Sequence, residues 1–379
     1  MKQEFSTEKA ELVKQAKAFA KEHFVDGDFF DREERFPEEI RKAAANAGFF
    51  RTFIPKAYGG LEMGFLAHTL VMEEFWRVDP GIGNILLTTF GAELLMAHGN
   101  EEQKGRWLPS IAGGEAISCC AITEPDAGSD IFGLSTSALA VEGGFLINGT
   151  KQFITTGNRA DLIMVLAVTN PTPERRTGGF SFFVAEKGMP GLSASPMKGK
   201  LGIRGSETAE LTFNDLFIPK ENLLGKIPGA GFSQVMNLFN INRLFACGQG
   251  VGVAQGALDM LLAHLKENPE IASAQTTQFR LAEMAALVEA AKQLYIWAGI
   301  NLDEGRIDPG LVAMAKLFCG ETGLKTVKTA LSLFGPTAAS GGHPLSRFYR
   351  DAKIVEIYEG AKDLEKLTIA RQLLAGAGG

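Results

Sequence analysis

From Thr7 to about residue 115, apolar residues recur at helical spacing, as in Leu12, Ala16, Phe19 and Ala20. This predicts a run of helices. Thr7 is the expected N-cap of the first. Pro37, followed by Glu38 and Glu39, fits the first turn of another helix, which Gly48 ends. Helices are also expected over 66–78 and 80–98, after the turn-rich Ile54-Pro55-Lys56-Ala57-Tyr58-Gly59-Gly60. From about Ala116 the pattern changes to short runs rich in β-formers: Phe145–Gly149, Leu162–Val168 and Phe180–Val184. Glycine pairs at Gly143-Gly144 and Gly178-Gly179 separate them. Strands in succession with no helix between them predict an antiparallel barrel or sandwich. After Gly229 the helical period returns and predicts four or five antiparallel helices. The expected class is α+β and multidomain: an N-terminal helical domain over 1–115, a middle antiparallel β-barrel or sandwich domain over 116–228, and a C-terminal four-helix-bundle domain over 229–379.

Composition narrows the function classes. The 379 residues are 45% hydrophobic and 22% charged, an ordinary soluble balance with material for a sizeable core. A net charge of -6 and the lack of a basic run give no reason to expect nucleic acid or a membrane surface. No apolar run reaches the roughly 18 residues of a spanning helix. Cys119, Cys120, Cys247 and Cys319 form no Cys-x-x-Cys pair and have no histidine at ligand spacing, so no metal site is expected. They read as reduced thiols. Met1–Phe5 carries acidic charge and no apolar core, unlike a signal peptide, and the expected location is cytoplasmic. Gly248-Gln249-Gly250-Val251-Gly252 superficially suggests a dinucleotide loop. It follows a helical segment and its third glycine is misplaced, so close packing of helices is the expected role.

Four stretches occur in order: Ala121-Ile122-Thr123-Glu124-Pro125-Asp126-Ala127-Gly128-Ser129-Asp130, Lys151-Gln152-Phe153-Ile154-Thr155-Thr156-Gly157, Arg347-Phe348-Tyr349-Arg350-Asp351-Ala352-Lys353 and Tyr358-Glu359-Gly360. In the first, backbone N–H groups and the hydroxyls of Thr123 and Ser129 offer donors to a planar heteroaromatic ring. In the last, a carboxylate is followed at once by a glycine that lets backbone approach a ligand. Alone, such a pair is an ordinary helix end.

Together the four stretches resemble the acyl-CoA dehydrogenase family of FAD-dependent flavoproteins. The likeness runs from Phe36-Pro37-Glu38-Glu39 to the last helix. The resemblance implies that Ile122, Thr123, Gly128 and Ser129 line the flavin ring, while Phe153 and Thr155 cover one face of it. It places Ser129 at the substrate's pantetheine arm, Arg243 near the CoA nucleotide, and Tyr358 and Gly360 beside the acyl thioester. Glu359 would remove the α-proton while the β-hydrogen leaves as hydride to FAD. The thioester oxygen would be held by the Glu359 backbone N–H and a flavin ribityl hydroxyl. Electrons would pass to an electron-transfer flavoprotein, and the assembly would be a homotetramer. A thioester α-hydrogen is far less acidic than a carboxylic acid, so a glutamate base needs a raised pKa and a stabilised enolate oxygen. Some family members carry the base beside the arginine matched by Arg243. Here that neighbour is Asn242, which leaves Glu359.

Three family features are missing. The connection Glu267-Asn268-Pro269-Glu270-Ile271-Ala272-Ser273 has no Arg-x-x-Phe-Gly, and Ser332-Leu333-Phe334-Gly335-Pro336 replaces a glutamine before a glycine pair. Ala361 and Asp363 follow Glu359-Gly360 where the family has threonine and another polar residue. The first two losses fall on the part that one subunit lends to its neighbour's flavin. They leave two further readings open: one chain of a hetero-oligomer with a homologous partner, or a flavin-poor CoA-thioester lyase or proton-transfer protein.

Overall fold

The computed structural model describes residues 6–170, 179–340 and 342–376. Met1–Phe5 and Gly178, on which two expectations rest, lie outside them. The N-terminal part consists of α1 (Thr7–His23), α2 (Gly27–Arg32), α3 (Glu38–Asn46), α4 (Phe65–Val78), α5 (Pro80–Gly83), α6 (Ala92–His98) and α7 (Glu101–Gly113). Ser6, not Thr7, caps α1, because its hydroxyl accepts from the Lys9 N–H. Pro37 stands in the cap position of α3 and not inside its first turn. Gly48 turns the chain just beyond that helix with a φ of +84°.

The helix expected over 80–98 is interrupted. A 3₁₀ turn (Asn84–Thr88) follows α5, and α6 starts anew at Ala92. Gly91 has a φ of +103°, and a Cβ there would stand 2.8 Å from Met164 Cγ. A continuing helix of L-residues would need the opposite sign of φ. The break sets the direction of the Glu93 side chain, which returns to accept from the Gly91 N–H at 3.1 Å.

The middle part holds β1 (Ser118–Ala121), β2 (Ser137–Val141), β3 (Gly144–Thr155), β4 (Leu162–Val168), β5 (Phe180–Glu186), β6 (Leu192–Pro196) and β7 (Thr208–Pro219). They form one curled sheet in the order β1-β4-β2-β3-β7-β6, with β5 also on β4. Most pairs are antiparallel. The β1–β4 pair is parallel, as is the single β2–β4 pairing at Ser137 and Val168. Inward Ile147, Ile154, Leu211, Phe213, Leu216 and Ile218 alternate with outward positions on β3 and β7 and fill one side of the sheet.

The C-terminal part comprises α8 (Gly231–Glu267), α9 (Pro269–Ser273), α10 (Gln275–Asp303), α11 (Pro309–Phe334), α12 (Pro336–Ala339), α13 (Pro344–Ala352) and α14 (Lys362–Gly376). Its core is continuous with that of the N-terminal helices. The glycine-rich run of α8 serves close approach, as expected. A Cβ on Gly248, Gly250 or Gly252 would come within 2.6 Å of the backbone oxygens of Thr69, Cys319 or Glu73. Those oxygens belong to α4 and α11, so both helices lie against α8 at glycine distance.

The Arg347–Lys353 stretch fastens the parts together. Arg347 reaches Asp79 at 2.6 Å and Arg350 reaches Asp31 at 2.5 Å. Arg350 also donates to the Leu201 carbonyl at 2.8 Å, and Asp351 accepts from the Ile203 N–H at 2.5 Å. One short helix therefore fixes the loop before β7 against α2 and α5.

Candidate active site

The first half of the site is a loop and a bulge. Between Lys151 and Ile154 the β3–β7 register slips, and Phe153 takes a φ of +60°. A bulge re-aims side chains, and here it leaves the Phe153 ring 61% exposed. Thr155 is half-buried two residues on. The facing loop begins with Ile122 in the wall of the core and half-buried Thr123, and ends with exposed Gly128 and Ser129. Beneath it lies Glu124, 4% exposed, which accepts from the N–H groups of Ser135 and Thr136, the Ser135 hydroxyl and Lys151 Nζ. Burial pushes this carboxyl up, but Lys151 and the hydrogen bonds outweigh it and hold the pKa at about 2. Lys151, fully buried, also donates to the Ile122 carbonyl at 2.8 Å, and the Gln152 N–H donates to the Thr123 carbonyl at 2.8 Å. Loop and bulge are thus one unit. Its outer surface combines an uncovered aromatic ring with exposed glycine and serine backbone, a composition that fits a flat heteroaromatic ring.

The second half is the chain between α13 and α14. After a 3₁₀ turn (Lys353–Glu356), Glu359 and Gly360 take φ values of +53° and +101°. A non-glycine residue held at positive φ is strained, and such strain gathers at functional sites. Lys316 donates to the Gly360 carbonyl in a short hydrogen bond. Arg243 Nε donates to Glu365 Oε1 at 3.0 Å, and Arg243 Nη1 to Asn240 at 3.2 Å. A Cβ on Gly360 would stand 1.8 Å from Glu365 Oε1. Only glycine fits between the loop and that ion pair. The Tyr358 hydroxyl makes a short hydrogen bond to Gln249, placing the half-buried ring against α8.

Glu359 Oε2 is out of contact with solvent and makes no hydrogen bond. Burial pushes its pKa to about 7. Lys316 and Arg243 oppose the shift, and Glu365 adds to it. A carboxyl that changes charge near neutrality and has an unengaged oxygen is suited to proton abstraction.

Arg243, expected near the CoA nucleotide, is found in a buried ion pair. Its side chain is 2% exposed and committed to Glu365, itself fully buried. It lies under the Glu359-Gly360 loop. Long-range pairing of residues 122 apart is not legible in helical periodicity, which shows only the positions that face a core. Tyr358, expected beside the acyl thioester, packs against the helical core. Sequence reading missed Lys316, Glu365 and Glu93. Only Glu93 left a signal, as a lone charge in the apolar run Phe90-Gly91-Ala92-Glu93-Leu94-Leu95.

Family models for the acyl-CoA dehydrogenase N-terminal, middle and C-terminal domains match residues 6–115, 119–216 and 229–374. The chain belongs to the acyl-CoA dehydrogenase family. It is similar to cyclohex-1-ene-1-carbonyl-CoA dehydrogenase of Geobacter metallireducens, with 37% identity over 91% of this chain and 92% of that one. Among solved structures, a glutaryl-coenzyme A dehydrogenase in complex with glutaryl-CoA superposes with a TM-score of 0.95 at 35% identity, covering 99% of this chain and 97% of that chain. A chain from a study of the electron transferring flavoprotein of Acidaminococcus fermentans gives 0.94 at 33%, covering 99% of this chain and 100% of that chain. This family member is an oxidoreductase of acyl-CoA thioesters with FAD as cofactor. No helix among the described residues is long and apolar enough to cross a membrane, and no group of three metal-ligating side chains occurs among them.

Proposed function

We propose that this acyl-CoA dehydrogenase uses Glu359 to remove the α-proton of a bound acyl-CoA. The observation that carries the reading is the Glu359 carboxyl itself: desolvated, poised near neutrality, and lacking a hydrogen-bond partner on Oε2. FAD, when bound, would supply the acceptor for the β-hydrogen as hydride. The chain's residues do the rest. Ile122, Thr123, Gly128, Ser129, Phe153 and Thr155 hold and cover the ring, and Ser129 faces the pantetheine arm. The backbone N–H of Glu359 binds the thioester oxygen as negative charge grows on it. Tyr358 and Gly360 shape the acyl wall, with Gly360 keeping the loop tight against Lys316. Arg243 supports the loop through Glu365.

The electrons pass to an electron-transfer flavoprotein, and the setting is the cytoplasm, where the four free buried cysteines remain reduced. The assembly is a homotetramer, with a hetero-oligomer containing a homologous chain as the second reading. What favours the second is the α8–α10 connection: α9 fills it, and the arginine and Phe-Gly expected to reach a neighbouring flavin are absent. The test is the visible spectrum of the purified protein, read before and after anaerobic addition of an acyl-CoA panel, with native mass spectrometry alongside. A stoichiometric flavin band that bleaches with a thioester is the expected result. A protein that takes up no FAD alone, yet does so with a homologous chain, moves the assembly to the hetero-oligomer. Failure of every thioester to bleach bound flavin defeats the dehydrogenase assignment of Glu359.

A further inference from the structure

Tyr358 stands immediately before the proposed base, yet regular structure does little to fix it. It lies between the 3₁₀ turn (Lys353–Glu356) and α14, and its N–H reaches the Ile354 carbonyl at 3.2 Å. The half-buried ring packs against the helical core. Its far end is held by the short hydrogen bond from the hydroxyl to Gln249 Oε1. Gln249 in turn donates from Nε2 to Asn84 Oδ1 at 3.3 Å. Asn84 belongs to the 3₁₀ turn between α5 and α6. A chain of three polar side chains therefore runs from the base loop through α8 to the N-terminal part. Gln249 and Asn84 are each 1% exposed.

Two features make this chain stiff. Gln249 lies between Gly248 and Gly250, whose added Cβ atoms would stand 2.6 Å from the backbone oxygens of Thr69 and Cys319. At the residue that receives the tyrosine, α8 is thus wedged between α4 and α11, and its backbone has no room to follow a shifting ring. Asn84 is costly as a mere core residue, because its Nδ2 is buried and has no partner among the described residues. What its Oδ1 provides is the acceptor for Gln249 Nε2. That bond fixes the amide so that Oε1 faces the Tyr358 hydroxyl.

We propose that Gln249, oriented by Asn84, is a specificity-determining positioning residue: it pins the Tyr358 ring as a fixed wall and so sets the width of the acyl site. This rests on the reading of Tyr358 as part of the acyl wall in the preceding section. A ring held at both its Cα and its hydroxyl keeps one rotamer, whereas a ring without the far bond is free to turn to other staggered positions. The base has a separate anchor, since Lys316 holds the loop on its other side at the Gly360 carbonyl. Loss of the Tyr358 bond therefore acts first on which acyl groups fit.

The test uses the full-length protein reconstituted with FAD, with Kd measured by calorimetry for two unreactive thioethers, S-butyl-CoA and S-(cyclohexylmethyl)-CoA. Each variant is judged on the ratio of its two Kd values, which a general loss of stability does not move. Gln249→Leu and Tyr358→Phe are each expected to shift the ratio at least fivefold toward the cyclic ligand, and Asn84→Ala at least twofold. The double variant Gln249→Leu/Tyr358→Phe should shift it no further than either single change, because both remove the same bond. A ratio that stays put in Tyr358→Phe, or moves toward the straight chain, overturns the proposal. So does a double variant in which the two shifts multiply. An unmoved ratio in Asn84→Ala overturns the part assigned to Asn84. Tyr358→Ala locates a failure: a ratio that moves with alanine but not with phenylalanine leaves the ring in the wall and removes its anchor, while one that stays put even with alanine takes Tyr358 out of the wall and the anchor with it. Flavin bleaching by butyryl-CoA in the same preparations reports separately on Glu359, so its absence counts against the base and not against the Kd ratios.

Discussion

Lys151 Nζ lies 2.9 Å from Glu124 Oε1, with both side chains buried. This ion pair joins two sequence stretches that form opposite sides of the proposed flavin site. Removing the lysine alone leaves a buried carboxylate without its cation, at a cost of about 3–5 kcal/mol. Lys151→Met is therefore expected to lower stability by that order and to weaken FAD retention. The double variant Lys151→Met/Glu124→Gln should recover part of the loss. Chemical denaturation and flavin occupancy after gel filtration provide the check.

Glu359→Gln keeps the size of the side chain and removes the base. Flavin reduction is expected to slow by more than about 1,000-fold, equivalent to roughly 4 kcal/mol, with acyl-CoA binding retained. Stopped-flow absorbance measures the first and calorimetry the second. A reduction rate near wild type would remove Glu359 from its assigned role.

The base works only when deprotonated. Since burial holds its pKa at about 7, reduction should rise about tenfold per pH unit below 7 and level off above it. Glu93 titrates in the same range, so the bend is expected to belong to the pair. Stopped-flow rates between pH 5.5 and 9 give the profile. A bend near 4.5 would mean a solvated base.

Gly360 has no room for a side chain. Gly360→Ala adds a methyl group at a φ of +101°, 1.8 Å from a carboxylate oxygen of the buried Arg243–Glu365 pair. The expected outcome is a destabilisation of about 2 kcal/mol or more, combining backbone strain and overpacking. Because the same loop aims Glu359, kcat should fall at temperatures where the variant is still folded. Thermal melts and turnover measured on one preparation separate the two effects.

Asp351 is fully buried, and its pKa is pushed to about 7, first by burial and then by Asp79. A carboxyl with a raised folded-state pKa contributes stability that is complete below its unfolded value near 4 and is lost as pH rises through about 7. Asparagine keeps the acceptor for the Ile203 N–H and does not ionise. Between pH 5 and 8, the stability of Asp351→Asn relative to wild type should therefore improve by on the order of 3 kcal/mol. Urea unfolding at the two pH values tests this. A difference that does not move with pH would show that Asp351 ionises freely in the fold.

Hydrophobic period alone located the helical, β and helical parts, because burial of one face imposes a repeat that any chain must show. The residues themselves also showed Glu359 before a glycine and Thr123–Asp130 as a loop, where turn residues announce themselves locally. The tertiary structure decided what pairing across long separations determines. Arg243 became the buried partner of Glu365 because α14, packed on α11, brings Glu365 up to α8, a placement that no helix's own pattern records. Glu93 turned inward because Gly91 breaks a helix that the apolar run would have continued. The parallel β1–β4 pair likewise depends on chain path, since strand composition carries no direction. Charge and desolvation, which give Glu359 its pKa, arise only when Lys316, Arg243 and Glu365 converge from three helices on one loop.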